Sequence, residues 1–174
     1  MKENDTFYPY YQRILRHIRM VMPQFSEFYL EPDAGDSISL RWRSAGSDEM
    51  FGAHQLSDGT LRFIALTTLL LQPPENAPMT IILDDPEIGL HPYAISVLAE
   101  AIRMACKTSQ LIISTQSPLL LNQFQCEDVI TADYDSAAQR SVLRRHTKKE
   151  LSAWLDDYSL SELWEKNVLG GLPV

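Results

Sequence analysis

Apolar residues recur at helical spacing from Tyr8 to Met22, where Tyr11, Ile14, Leu15, Ile18, Val21 and Met22 share a face before Pro23 stops the pattern. After a turn-forming run, Pro32-Asp33-Ala34-Gly35-Asp36, the alternation Ile38-Ser39-Leu40-Arg41-Trp42 predicts a strand. Ser57-Asp58-Gly59 opens a helix running to about Leu71 and closed by Pro73-Pro74; being apolar on most faces, it is expected to be buried. Thr80-Ile81-Ile82-Leu83 is a short apolar strand that ends abruptly in Asp84-Asp85-Pro86. The pattern then predicts a helix from about Pro92 to Cys106, a strand from Gln110 to Ser114 and another over Val129-Ile130-Thr131. Ser141 to Arg145 fits an edge strand, and two short helices near 149–156 and 161–166 lead to Gly170-Gly171. Strands alternating with helices across short turns point to an α/β fold with a mainly parallel sheet flanked by helices.

A length of 174 residues suits one domain with a real core. The 45% hydrophobic and 22% charged content are those of a soluble globular protein. The longest apolar-rich stretch, Leu61 to Leu71, is broken by Arg62, Thr67 and Thr68, so no membrane span is expected. Met1-Lys2-Glu3-Asn4-Asp5 is too polar and acidic to begin a secretory signal, and a cytoplasmic location is the expectation. Cys106 and Cys126 lack metal-type spacing and read as buried small hydrophobes. His17, His54 and His146 have no neighbours at metal-ligand spacing, and Trp42, Trp154 and Trp164 read as packing residues.

Charge is unevenly spread. Residues 51–133 carry nine acidic and three basic side chains, a balance of −6, against −2 for residues 1–50 and 0 for residues 134–174, which sums to the net −8. A sequence-independent DNA binder needs a dense basic surface to displace counterions. The one local candidate is Arg140, Arg144, Arg145, Lys148 and Lys149, which reads first as a solvated surface and only second as a DNA contact.

Three segments carry chemistry. In Thr80-Ile-Ile-Leu-Asp84-Asp85-Pro-Glu87-Ile-Gly-Leu-His91-Pro92, a strand delivers paired carboxylates to the C-terminal edge of a sheet, where α/β proteins bind ligands. One carboxylate there can hold magnesium and a second can position or deprotonate a water. In Leu56-Ser57-Asp58-Gly59-Thr60-Leu61-Arg62, Ser57 is a good helix N-cap, while the same geometry with Gly59 offers backbone N–H groups to a phosphate. In Leu111-Ile-Ile-Ser114-Thr115-Gln116-Ser117-Pro118, another strand ends in small polar residues, and Gln116 either is solvated or orients a water.

In this order the three segments resemble the signature motif, the Walker B motif with its D-loop, and the switch loop of ABC-type ATPases of the RecF, SMC and OLD group. The Pro-Glu-x-Gly-Leu-His-Pro continuation and the tail Tyr158-Ser-Leu-Ser-Glu-Leu-Trp164 with Gly170-Gly171-Leu-Pro173 resemble its bacterial AAA-family variant. The resemblance runs from about residue 10 to the end. It implies a single domain forming the C-terminal lobe of an ATPase head. Residues 1–55 would supply a lead-in helix and strand, 56–133 the three motifs, and 134–174 a C-terminal strand and helices. It further implies that Asp84 helps hold Mg2+, that Asp85 stands at the catalytic-glutamate position, and that Gln116 stands at the switch position. Ser57, Asp58 and Gly59 would face the γ-phosphate of ATP bound by an opposing subunit, and His91 would fall in the D-loop at the dimer interface.

A Walker A loop needs Gly-x-x-x-x-Gly-Lys-Ser/Thr. None of the seven glycines precedes a lysine, and no two are five positions apart. The resemblance places that loop in an N-terminal half ahead of the signature motif, so ATP and Mg2+ are expected only with a complementing half. Asp85 is one methylene shorter than Glu, a displacement of ~1 Å that can cost ~100-fold in rate. The chain therefore reads as a fragment of a longer ATPase, as one piece of a split ATPase, or as a chain that kept the fold and lost the enzyme. The leading expectation is part of an ATP-hydrolysing head, acting as a homodimer or with a complementing half, in DNA repair, chromosome maintenance or phage defence. The alternative is a non-catalytic interaction or dimerisation module. A phosphoacceptor receiver domain is set aside, since its acid pair would lie near the start of the chain.

Overall fold

The computed structural model describes residues 6–32 and 37–171. Most of the turn expected at residues 32–36, and the Leu-Pro173 part of the tail motif, lie outside the described residues. The chain divides into two compact units, Met1–Ser114 and Thr115–Val174. No helix among the described residues is long and apolar enough to cross a membrane.

The first unit opens with α1 (Tyr8–Val21), whose buried face is Tyr11, Ile14, Leu15, His17 and Ile18. It ends where Met22 N–H donates to the Ile18 carbonyl ahead of Pro23. Three antiparallel strands follow in the order β1 (Phe25–Tyr29), β2 (Arg41–Ser44) and β3 (Met50–Gly52). Trp42 anchors them, buried between the rings of Phe25 at 6.1 Å and Phe51 at 4.8 Å. The strand expected over 38–42 is shifted to 41–44, because a strand persists only beside a partner. Tyr29, the last residue of β1, lies opposite Arg41, and Ile38 stays exposed. The alternation rule misses β1 because its register slips between Phe25 and Glu27, leaving apolar residues three apart.

α2 (Asp58–Leu71) is capped by Ser57, whose Oγ accepts from Thr60 N–H at 3.2 Å. Its burial is one-sided: Phe63, Ile64, Thr67, Leu70 and Leu71 face inward, while Ala65 is exposed. β4 (Thr80–Asp84) and β5 (Gln110–Ser114) pair in parallel from Thr80↔Gln110 to Asp84↔Ser114, joined through α3 (Pro92–Ala105). The α/β class is as expected, and this pair is its parallel component; the other described sheets are antiparallel. α1, α2 and α3 pack on one another, and four alanines on the buried face of α3 keep the helices close. Ile81 and Leu83 are buried, whereas Ile82 and Ile112 are 73% and 51% exposed.

The second unit begins with the single-turn α4 (Pro118–Leu121) and continues through the hairpin β6 (Ile130–Asp135) and β7 (Arg140–Arg145) to α5 (Lys148–Leu155) and α6 (Leu160–Glu165). Its core is Cys126, Leu151, Leu160, Leu163 and Leu169. Asn122 clamps the start of α6, donating to Ser161 Oγ at 2.8 Å and accepting from Ser161 N–H at 2.9 Å. Both cysteines are free thiols, but only Cys126 is buried. Cys106 is exposed, since it follows the last buried residue of α3 at a turn into solvent. Burial and the neighbouring Glu127 carboxylate push the Cys126 thiol up.

Pairing in the hairpin also divides the basic cluster. Arg140 sits opposite Asp135 and Arg144 opposite Thr131, on the face shared with Asp133, while Arg145 points to the other face and donates to the Glu127 carbonyl at 2.8 Å. Alternation along a strand thus splits what is contiguous in sequence.

Candidate functional site

The first unit assembles most of the residues singled out by sequence. β4 delivers Asp84 to the C-terminal end of the parallel pair, where its exposed carboxylate accepts a hydrogen bond from the Ser114 hydroxyl at the end of β5. In-register parallel pairing makes this contact, bringing together side chains thirty positions apart. The next residue, Asp85, turns the chain with φ +42°, a left-handed conformation that Asp tolerates better than most residues carrying a Cβ. Asp85 N–H donates to the Ser114 carbonyl at 3.0 Å, and the Asp85 carbonyl accepts from Ile88 N–H at 3.2 Å. Leu90 N–H donates to the Glu87 carbonyl at 3.0 Å, so residues 85–90 form a tight double turn, and Glu87 is buried.

The N-terminus of α2 lies against this turn. A Cβ on Gly59 would stand 2.1 Å from the Gly89 carbonyl oxygen, closer than any side chain permits, and Gly89 itself takes φ +79°. Glycine at position 59 is therefore a packing requirement. One helical turn on, the Arg62 guanidinium reaches the Asp85 carbonyl at 3.4 Å.

Other residues have visible structural duties. Ser57 Oγ is engaged in its cap and lies 2.8 Å from Thr60 Oγ1, while the Asp58 side chain is exposed in the first turn. His91 caps α3, its Nδ1 accepting from Tyr93 N–H at 3.2 Å, which fixes Nδ1 as the unprotonated nitrogen. Gln116 belongs to the second unit, exposed between Thr115, whose Oγ1 accepts from Ser117 N–H at 3.0 Å, and Ser117, which caps α4. Sequence reasoning assigned no role to Arg62 or Ser114. Only pairing across the sheet and the docking of α2 reveal them.

Among the described residues no group of three or more His, Cys, Asp or Glu side chains is arranged to hold a metal. A lone exposed carboxylate beside a hydroxyl suits magnesium, which keeps several waters and takes its remaining ligands from substrate phosphates.

The fold is similar to that of SMC ATPase head domains, as part of a P-loop NTPase fold. The chain superimposes on a structure from work on ATP-driven dimerization and DNA-stimulated activation of SMC ATPases with a TM-score of 0.62 at 15% identity, covering 87% of this chain and 92% of that one. It matches an SmcHead bound to the C-winged helix domain of ScpA with a TM-score of 0.63 at 17% identity, covering 83% of this chain and 45% of that one. An Smc head with an extended coiled coil bound to the C-terminal domain of ScpA, derived from Pyrococcus furiosus, matches with a TM-score of 0.63 at 16% identity, over 85% of this chain and 37% of that one. This chain thus spans less than half the length of those two matched chains.

By sequence, residues 6–122 match the family described as "AAA domain, putative AbiEii toxin, Type IV TA system", and the chain belongs to that family. No curated protein sequence matches it.

Proposed function

We propose that this chain supplies the signature, Walker B and D-loop elements of an ATP-hydrolysing head, and that it is the C-terminal lobe of that head. The supporting observation is the convergence of three segments in one compact unit: the acid pair at the end of β4, the double turn after it, and the N-terminus of α2 seated on that turn through Gly59 and Gly89.

In this reading Asp84, already aligned by Ser114, holds Mg2+ together with nucleotide phosphates. Asp85 positions or deprotonates the attacking water. Ser57 and Gly59 offer the helix N-terminus to the γ-phosphate bound by an opposing copy or a complementing half, and His91 stands in the segment that meets it. Asp58 puts a negative charge in the first turn and offsets part of the helix dipole, so phosphate contact relies on backbone N–H groups and the Ser57 hydroxyl more than on net charge. Gln116 takes the switch position as a hydrogen-bond donor rather than a proton carrier. Magnesium supplies charge neutralisation on the phosphates when bound.

The phosphate-cradling loop is not among the motifs of this sequence. Nucleotide binding therefore depends on a second polypeptide segment carrying it. One face of the parallel pair, with Ile82 and Ile112 exposed, is the kind of surface such a segment covers, because parallel sheets are buried on both faces. By resemblance the assembled machine serves DNA repair, chromosome maintenance or phage defence.

The test is ATP binding and turnover by the purified chain, alone and mixed with the Walker A half of a related ATPase. Turnover that arises only on mixing and is lost in Asp84→Asn is the expected result. Neither binding nor turnover in any mixture would refute the reading in favour of a non-catalytic interaction module.

A further inference from the structure

We propose that Arg62 is a positioning residue for Asp85, and that α2 with the turn 85–91 forms one mechanical unit linking the helix N-terminus to that carboxylate. The functional sense of this coupling rests on the nucleotide-site reading above. Its structural core rests on contacts within one unit.

Asp85 holds a left-handed backbone that a residue with a Cβ keeps only when its surroundings over-determine it. Three hydrogen bonds do so. Asp85 N–H is tied to the Ser114 carbonyl on β5 at 3.0 Å, and Ile88 N–H closes the local turn on the Asp85 carbonyl at 3.2 Å. The same carbonyl accepts from Arg62 at 3.4 Å, a contact reaching across 23 positions from α2. It alone among the three couples Asp85 to the signature helix.

Gly59 and Arg62, three residues apart, share a helical face. Gly59 meets the far end of the turn at the Gly89 carbonyl, and Arg62 meets its beginning at Asp85. The N-terminal segment of α2, from Gly59 to Arg62, is therefore keyed to both ends of the acid-bearing turn. A displacement of the helix N-terminus, such as seating an anion at Ser57 and Gly59 would produce, moves Gly89 and the Asp85 carbonyl with it. The Asp85 carboxylate is re-aimed as a result. Lysine could donate to the same carbonyl from its ammonium but lacks the rigid guanidinium, so it should substitute in part.

Hydrogen exchange of the full chain tests this without nucleotide. Arg62→Ala should speed exchange at the amides of Asp85 and Ile88 about tenfold, the scale of losing one hydrogen bond to a charged group. Arg62→Lys should recover part of the protection, and amides within β4 and β5 ahead of the turn should be unchanged. Combined with Asp85→Gly, Arg62→Ala should have little effect, because glycine holds φ +42° without support. Unchanged exchange at Asp85 and Ile88, or an equal rise throughout the unit, would overturn the proposal. Should Arg62→Ala not fold, Arg62→Lys decides on the same two amides.

In an assembly that turns over ATP, Arg62→Ala should lower kcat about tenfold with KM for ATP unchanged. An unaltered kcat in such an assembly would also overturn the positioning role. Absence of turnover in every assembly would instead defeat the nucleotide reading and leave the exchange result to stand by itself.

Discussion

Position 59 has no room for a side chain. The Gly89 carbonyl that a Cβ would strike is backbone, held in a double turn, and cannot rotate away as a flexible side chain could. Gly59→Ala is therefore expected to destabilise the first unit by about 1–3 kcal/mol, the scale of overpacking, despite alanine's better helix propensity. Urea denaturation should show a lower midpoint at an unchanged slope. His146 offers a second case. The single hydroxyl proton of Thr131 goes to the Leu169 carbonyl at 3.1 Å, because a carbonyl can only accept. Thr131 Oγ1 must then accept from His146 Nε2–H at 3.0 Å, which fixes the neutral tautomer. Burial, then the nearby Arg144 charge, hold the imidazole pKa below its usual value, against opposing pulls from Glu150 and Asp133. A depressed histidine contributes no penalty well above pH ~6.5, where it is neutral folded and unfolded. As pH falls through ~6.5 the unfolded chain binds a proton that the folded chain refuses, and stability drops by up to ~1.4 kcal/mol per pH unit until the folded pKa is reached. Stability measured between pH 7.5 and 5.5 should show this fall. His146→Gln should flatten it, whatever its effect at neutral pH.

At the scale of elements, the parallel pair β4–β5 shows its apolar alternation on both faces, yet buries only one. Ile82 and Ile112 are neighbours on the open face, being directly paired in register. Ile82→Lys should leave the stability of the isolated chain within about 0.5 kcal/mol, as exposed substitutions do. If this face is covered in an assembly, the same change should abolish association by burying an unpaired charge. Thermal denaturation and co-sedimentation of one protein preparation separate the two effects. Retained association would place the contact elsewhere. The hairpin β6–β7 makes the complementary point about charge. Five basic residues close in sequence do not form one patch, since strand alternation turns Arg145 away from Arg140 and Arg144 and pairs Arg140 with Asp135.

For the whole molecule, the open face sets a scale for association. Burying two isoleucines is worth about 3–6 kcal/mol before the cost of immobilising two bodies. Before that cost, this corresponds to dissociation constants between several millimolar and roughly 40 μM. The chain alone is therefore expected to self-associate weakly, and a complementing half to bind more tightly by also satisfying the sheet edges. Sedimentation equilibrium from micromolar to millimolar concentration should show a rising average mass. A single monomeric mass throughout would remove the case for an unpaired face.

The local pattern alone placed α1, α2, β4, α3 and β5 nearly to the residue, and all but β5 are bounded by a chemical stop: Pro23 after α1, the Ser57 cap, Pro73, the acid pair after β4, and Pro92. Such stops act within a few residues and are written in the chain. The alternation of strands and helices was likewise legible, and it pointed to the α/β class that the structure has. Tertiary structure decided what depends on partners distant in sequence. β1 and β3 exist because Trp42 gathers aromatic rings from both neighbours, and β2 begins where β1 ends. Ser114 meets Asp84 only through parallel register, and Arg62 meets Asp85 only because Gly59 lets the helix settle on Gly89. Periodicity reports which face of an element is apolar. What that face meets, and how close a backbone may come, is fixed by packing over tens of residues, and no local spacing records it.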